Sequence, residues 1–336
     1  MEPRQLNTDE LTQVAKHLPN SFAQVSRGWQ QQVAGQARSI STQEELDWSL
    51  AGPTVVIFAP ADGSQLTINH TPAAGWSQVH GPHPLYAVDA GHLQALDRAV
   101  ITTVNGGTTH LHNHSTVAAV NGGTVILHDH AAVALVHDGT VDLHDNASAG
   151  TIRGGHINVR DHASVTTIAG GWSIFGDHAT ADTIHDGYAS LYNHAHITTV
   201  TNGTVSLCGE STTDTVDNGE VDLFDRATAT TVHNGRVTIR HNTTVTTINN
   251  GTVEIYGHAT ADTIHDGTIT VRESATVNNV TGGTITATGR AVIGNVTGGI
   301  IHAYDQTTIT ASNGLIHRYS PYITIHNHGA AIHDCF

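Results

Sequence analysis

Gly123-Thr124-Val125-Ile126-Leu127-His128-Asp129-His130-Ala131-Ala132-Val133-Ala134-Leu135-Val136-His137-Asp138 is one copy of a 16-residue unit that runs from Gly91 to Gly298 without insertion or deletion. With Gly as position 1, the unit restarts at Gly91, Gly107, Gly123, Gly139, Gly155, Gly171, Gly187, Gly203, Gly219, Gly235, Gly251, Gly267 and Gly283. Regularity at a fixed period is the mark of a stacked repeat architecture. Positions 3 and 5 are mostly Val, Ile or Leu, separated by one polar residue, which makes a short strand with one buried face. Position 9 is mostly Ala, position 11 mostly Val, Ile or Ala, and position 14 always Val or Ile, as in Val136, Ile152, Ile168 and Ile184. Those columns predict a second inward-facing strand. Corners such as Asn105-Gly106-Gly107, His137-Asp138-Gly139 and Asn249-Asn250-Gly251 suit tight positive-φ turns.

A helical unit is excluded, because β-branched residues dominate, Gly recurs every 16 residues and no three-and-four apolar spacing persists. Propeller blades and leucine-rich or ankyrin repeats need longer units. The expected fold is therefore all-β: a single parallel β-solenoid, or β-helix, of about 14 coils stacked at about 4.8 Å, giving a rod of roughly 65–70 Å. One coil alone buries too few side chains to offset the entropy of ordering it, so coils must stack and both ends must be capped. The expected organisation is an N-terminal helical and mixed cap over 1–74, the solenoid over 75–313 with regular coils at 91–298, and a C-terminal cap or tail over 314–336.

At the N-terminal end, Thr8-Asp9-Glu10-Leu11 resembles a helix start that runs to Pro19, and Phe22 to Ala37 suits a second helix. Leu18-Pro19, Val25-Ser26-Arg27 and Trp29 resemble the second half of an F-box without its usual opening; a helical cap or docking arm is the competing expectation. Ser41-Thr42 followed by Glu44-Glu45 opens a short helix. Thr54 to Phe58 is a strand, with Leu66-Thr67-Ile68 as its expected partner, and Gly75 to Ala90 is an irregular first coil carrying Pro82 and Pro84. After Gly299 the next Gly, Gly314, comes one residue early. Leu315-Ile316-His317 and Tyr322 to Ile325 are expected as final strands, with His326 to Phe336 as a tail or cap.

Ala275-Thr276-Val277, Ala303-Tyr304-Asp305 and the segment Glu45-Leu46-Asp47 through Ile57 resemble bacterial low-complexity repeat proteins built from Ala-Thr-Val-x-Ala-Tyr-Asp units. The resemblance implies a solenoid and no activity. This chain departs from those units by placing Gly at alternate half-units and His where Tyr or Ser is expected.

The formal charge of −16, from 13 basic against 29 acidic side chains, argues against a nucleic-acid backbone or an anionic membrane as partner. A protein partner or self-association is expected, with oligomeric state left open. Two cysteines, Cys208 and Cys335, rule out a disulfide framework. Neither a charged-plus-apolar leader nor an 18-residue apolar run is visible, so a cytoplasmic protein is expected, with phage origin or leaderless export as alternatives.

Histidine is abundant, with 27 residues. Position 8 carries His114, His130, His162, His178, His194 and His258; position 6 carries His112, His128 and His144; Asp129, Asp145, Asp161 and Asp177 lie beside them at position 7. Imidazoles about 4.8 Å apart predict candidate divalent-metal sites, with His162, His178, His194, Asp161 and Asp177 as the ligand set. The competing expectation is a solvated turn ladder that binds Zn²⁺ or Ni²⁺ only adventitiously, with no cofactor. In either case the columns predict pH sensitivity, because protonation stacks like charges. Thr228, Thr230, Thr244 and Thr246 are expected on one outward face, a candidate binding surface that resembles those of ice-binding solenoids. Asp182, Asp214 and Asp262 interrupt it. Gly-rich turns that never open a helix exclude phosphate cradles. No catalytic constellation is visible, so the expected function is a non-enzymatic structural or protein-interaction scaffold. An ice-binding surface, a carbohydrate-active β-helix enzyme and an acidic DNA mimic are the alternatives.

Overall fold

The computed structural model describes residues 37–40, 42–51, 55–58, 66–69, 77–80 and 84–336. The helices expected over Thr8 to Pro19 and Phe22 to Ala37 lie outside these, except that Ala37 opens a strand, Ala37–Ser39. The expected fold class is the one found: a nearly all-β parallel solenoid of about 16 turns with one short helix near its N-terminus. The chain falls into two compact units, meeting at Thr166 and Thr167.

In the first unit each regular coil contributes one four-residue strand to ladder A and one five-residue strand to ladder B. Thr124–Leu127 pairs in parallel with Thr108–Leu111 before it and Thr140–Leu143 after it, every residue against its counterpart one period away. Ala132–Val136 is likewise flanked by Thr116–Val120 and Ser148–Ile152. Period 2 sends positions 3 and 5 of the four-residue strand inward, and the five-residue strand buries positions 11 and 14 with two less buried residues between them, behind a buried position 9 at the turn. Val125, Leu127, Ala131, Val133 and Val136 are all buried, and Val136 lies against Ile152 in the ladder. The helix α1, Gln43–Leu50, starts at Thr42 with a capping box: the Thr42 hydroxyl accepts from the Glu45 N–H and the Glu45 carboxylate accepts from the Thr42 N–H, both at 3.2 Å. Its Leu46 and Leu50 are buried. The Gln43 side chain donates to the Thr67 carbonyl at 2.8 Å and accepts from the Thr67 N–H at 2.7 Å. One amide side chain thus satisfies an edge that would otherwise invite another strand.

Strand Val55–Phe58 does not pair with Thr67–Ile68, contrary to expectation. It lies between Ala37–Ser39 and Ser77–His80 in ladder A, whereas Thr67–Ile68 pairs with Ala87 and Val88 in ladder B. Chain proximity suggests a hairpin, but in a solenoid neighbouring strands of one coil belong to different sheets.

In the second unit the same pattern holds. Ile168, Ile184, Val200 and Val216 are fully buried, and the last three follow one another in register. The residue missing before Gly314 is absorbed in ladder B. There the strand Thr308–Ala311 has four residues, and Val292–Val296 bulges between Ile293 and Asn295 to meet it. The two expected final strands are found as Leu315–Arg318 and Thr324–Asn327, and the segment expected as a tail carries one more, Ala331–Asp334, in register with Leu315–Arg318 and exposed along its length.

Candidate functional site

The corner at positions 6 to 8 explains its own sequence. Position 7 is held at positive φ, 58° at Asp161 and 56° at Asp177, which Asp, Asn and Gly tolerate best. The side chain then reaches back one coil. Asn113 N–H donates to Asp129 Oδ2 at 2.9 Å, Asp129 N–H to Asp145 Oδ2 at 3.1 Å, and Asp145 N–H to Asp161 Oδ2 at 3.0 Å. In the second unit Asn193 Nδ2 donates to Asp177 Oδ1 at 3.3 Å. Asp161 and Asp177, two of the expected metal ligands, are therefore turn residues that satisfy neighbouring donors.

The imidazoles beside them stack face to face. Ring centroids lie 5.0 Å apart for His112 and His128, 5.1 Å for His128 and His144, and 5.1 Å for His178 and His194, with interplanar angles of 14° or less. Two nitrogens sharing a zinc ion through bonds of about 2.0–2.1 Å must lie within about 4 Å with converging lone pairs. Stacked rings hold theirs parallel. His194 Nε2 instead meets Glu210 Oε2 at 2.8 Å, and Glu210 also pairs with Arg226 at 2.6 Å. His162 and Asp161 belong to the first unit; His178, His194 and Asp177 belong to the second. Burial and neighbouring imidazoles hold His110 and His112 below the ordinary imidazole range.

The four threonines of the candidate surface are brought together. Thr228 and Thr230 point outward from one strand, Thr244 and Thr246 from the next, with Thr228 opposite Thr244. Asp214 and Asp262 occupy the equivalent of Thr230 on the flanking strands, so the double row is two strands wide.

Two features escape the sequence reading. The first is an aromatic patch on ladder A of the second unit, where Trp172 and Tyr188 replace the usual position 2 residues and lie opposite one another with rings 5.9 Å apart. They are 53% and 58% exposed, and Ile174 and Tyr192 beside them are exposed as well. The interrupted Thr column was the available signal. The second is the one grouping of three or more metal-ligating side chains among the described residues: His317, His333 and Cys335 near the C-terminus. Here the signal was a 16-residue spacing that resumes after the missing residue.

The open groove along the Gly corner of the second unit is lined by Asn202, Asn218, Asn234 and Asn250, with Arg236 and Glu254 at its side. Among the described residues no helix is long and apolar enough to cross a membrane. Comparison with protein-family models, curated proteins and solved structures returns no match.

Proposed function

We propose that the chain is a non-enzymatic β-solenoid scaffold that binds a protein partner through the face bearing Trp172, Ile174, Tyr188 and Tyr192. The exposed aromatic pair carries this proposal. Other large side chains are exposed elsewhere on the chain, but here Trp172 and Tyr188 cluster on adjacent strands with Ile174 and Tyr192, the composition of an interface core, where Trp and Tyr are enriched among the residues that carry most of the binding energy. The paired strands beneath hold them in place, which lowers the ordering cost of association. The unbroken 16-residue spacing from Gly91 to Gly298 leaves no inserted loop to wall a catalytic cleft, which favours a scaffold over a carbohydrate-active enzyme.

A photo-crosslinking residue placed at Ser190, between these side chains, tests it in the host cell. A discrete protein adduct that disappears in the Trp172→Ala/Tyr188→Ala variant is expected. The same adducts from a probe at Thr230, or none from Ser190, would overturn it.

The in-register Thr228, Thr230, Thr244 and Thr246 favour a second reading, an ice-binding surface, in which ordered hydroxyls template water. Thermal hysteresis lost in Thr230→Tyr and Thr246→Tyr variants would support that reading, and its absence in the native chain removes it.

A further inference from the structure

We infer that His317, His333 and Cys335 form a zinc site that clamps the last coil. His317 and His333 face each other across adjacent parallel strands, one period apart, and Cys335 lies two residues beyond His333, on the same side of its strand. The potential ligand atoms already converge. Nδ1 of His317 and Nδ1 of His333 are 3.3 Å apart, Cys335 Sγ is 3.3 Å from His333 Nδ1, and it is 3.9 Å from His317 Nδ1. Zinc bonds of about 2.0–2.1 Å to nitrogen and about 2.3 Å to sulfur, at tetrahedral angles, put two nitrogens about 3.3 Å apart and nitrogen and sulfur about 3.6 Å apart. The three atoms thus outline one face of a zinc tetrahedron, with the fourth corner toward solvent. The two rings meet edge to face at 88°, unlike the parallel stacks elsewhere in the chain.

Ligand chemistry narrows the ion. Two imidazoles and a thiolate suit zinc and its neighbours and disfavour calcium and magnesium, which take oxygen donors. The surroundings hold the ligands in place. His302 stacks on His317 at 5.0 Å, and the Tyr319 ring, stacked on Tyr304 at 4.5 Å, brings its hydroxyl to 3.4 Å from His302 Nδ1. Arg318 and Asp334, the residues next to His317 and His333 on the same two strands, pair through two bonds of 2.6 and 2.9 Å. Ligand pairing and ion pairing together would fasten a terminal strand that has no buried side chain of its own.

Cobalt(II) titration of the full-length chain under reducing conditions tests the site without interference from the other histidines. A thiolate-to-cobalt charge-transfer band requires cysteine, and the chain has only Cys208 and Cys335. One equivalent of cobalt should produce the band, and zinc should bleach it. The band should survive Cys208→Ser and vanish in Cys335→Ser. Amide exchange in a peptide covering 326–336 should slow with zinc in the native chain and not in His333→Asn. Absence of the band in the native chain, its persistence in Cys335→Ser, or exchange unaffected by zinc would each overturn the assignment.

Discussion

The backbone N–H of Asp145 donates to Oδ2 of Asp161, one coil further along, at 3.0 Å. Asp161 itself sits at φ 58°, so one residue both turns the chain and satisfies its neighbour. Asp161→Asn keeps the tolerance for this backbone and an acceptor oxygen, and should leave stability nearly unchanged. Asp161→Ala loses both and should cost about 1–2 kcal/mol, read from chemical denaturation. Equal effects from the two substitutions would remove the structural role assigned to position 7.

The solenoid was legible because a fixed period writes the ladder register directly into the sequence: Val136 and Ile152 occupy the same position of successive units, and they pair. The helix start at Thr42 was legible through its capping box, a purely local signal. The role of position 7 was legible only as one of two alternatives, because a turn ladder and a metal site both set Asp beside His; the positive φ at Asp161 and Asp177 accounts for Asp there without a metal. The partner of Thr67–Ile68 was misplaced because segments near in sequence belong to opposite sheets here. The His317, His333 and Cys335 cluster lay beyond the point where the count of 16 breaks. Past that break the spacing of 16 returns, and it alone sets His317 opposite His333.

Acid should weaken the first unit through its imidazole column. Burial lowers the affinity of His110 for a proton, and the nearby His112, His128 and His92 lower it further; His112 is held down by burial and His128, with Asp129 opposing. Since both native values lie below that of the unfolded chain, unfolding takes up protons as pH falls. Their contribution is therefore complete above about pH 6.5 and declines as pH drops through that value toward the lower native ones. The melting temperature should fall between pH 7 and pH 5, and less steeply in a His110→Gln/His112→Asn variant. A wild-type profile that is flat over this range, or one unchanged by the double substitution, would contradict this account.

Thr213 lies in the position 11 column among Ala, Val and Ile, 1% exposed, with a hydroxyl that has no hydrogen-bond partner. An unpaired buried hydroxyl costs about 1–3 kcal/mol, and valine fills nearly the same volume. Thr213→Val should stabilise the second unit by about 1 kcal/mol, seen as a higher melting temperature. Thr109, buried and unpartnered in the position 3 column, should respond alike in the first unit. Ser115 makes the contrast: its hydroxyl donates to the His112 carbonyl at 2.8 Å, so Ser115→Ala should yield no such gain.

Two glycines at different positions of the unit, Gly155 at position 1 and Gly176 at position 6, should respond in opposite ways to the same methyl group. Gly155 stands at φ +89°, and a Cβ there would lie 2.4 Å from the Gly139 carbonyl oxygen and 3.0 Å from the Gly139 nitrogen. Backbone cannot rotate away as a side chain can, and the stacked coils on either side fix the separation. Gly155→Ala should therefore destabilise by about 2–3 kcal/mol or more, from strained dihedrals and the clash together. A Cβ at Gly176 meets nothing within 4 Å, and its φ lies outside the left-handed region. There alanine chiefly restricts the unfolded chain, so Gly176→Ala should be neutral or stabilise by up to about 1 kcal/mol. Urea denaturation of the two variants decides the matter. Comparable losses at both sites would mean that glycine is required along the corners for some reason other than coil-to-coil contact.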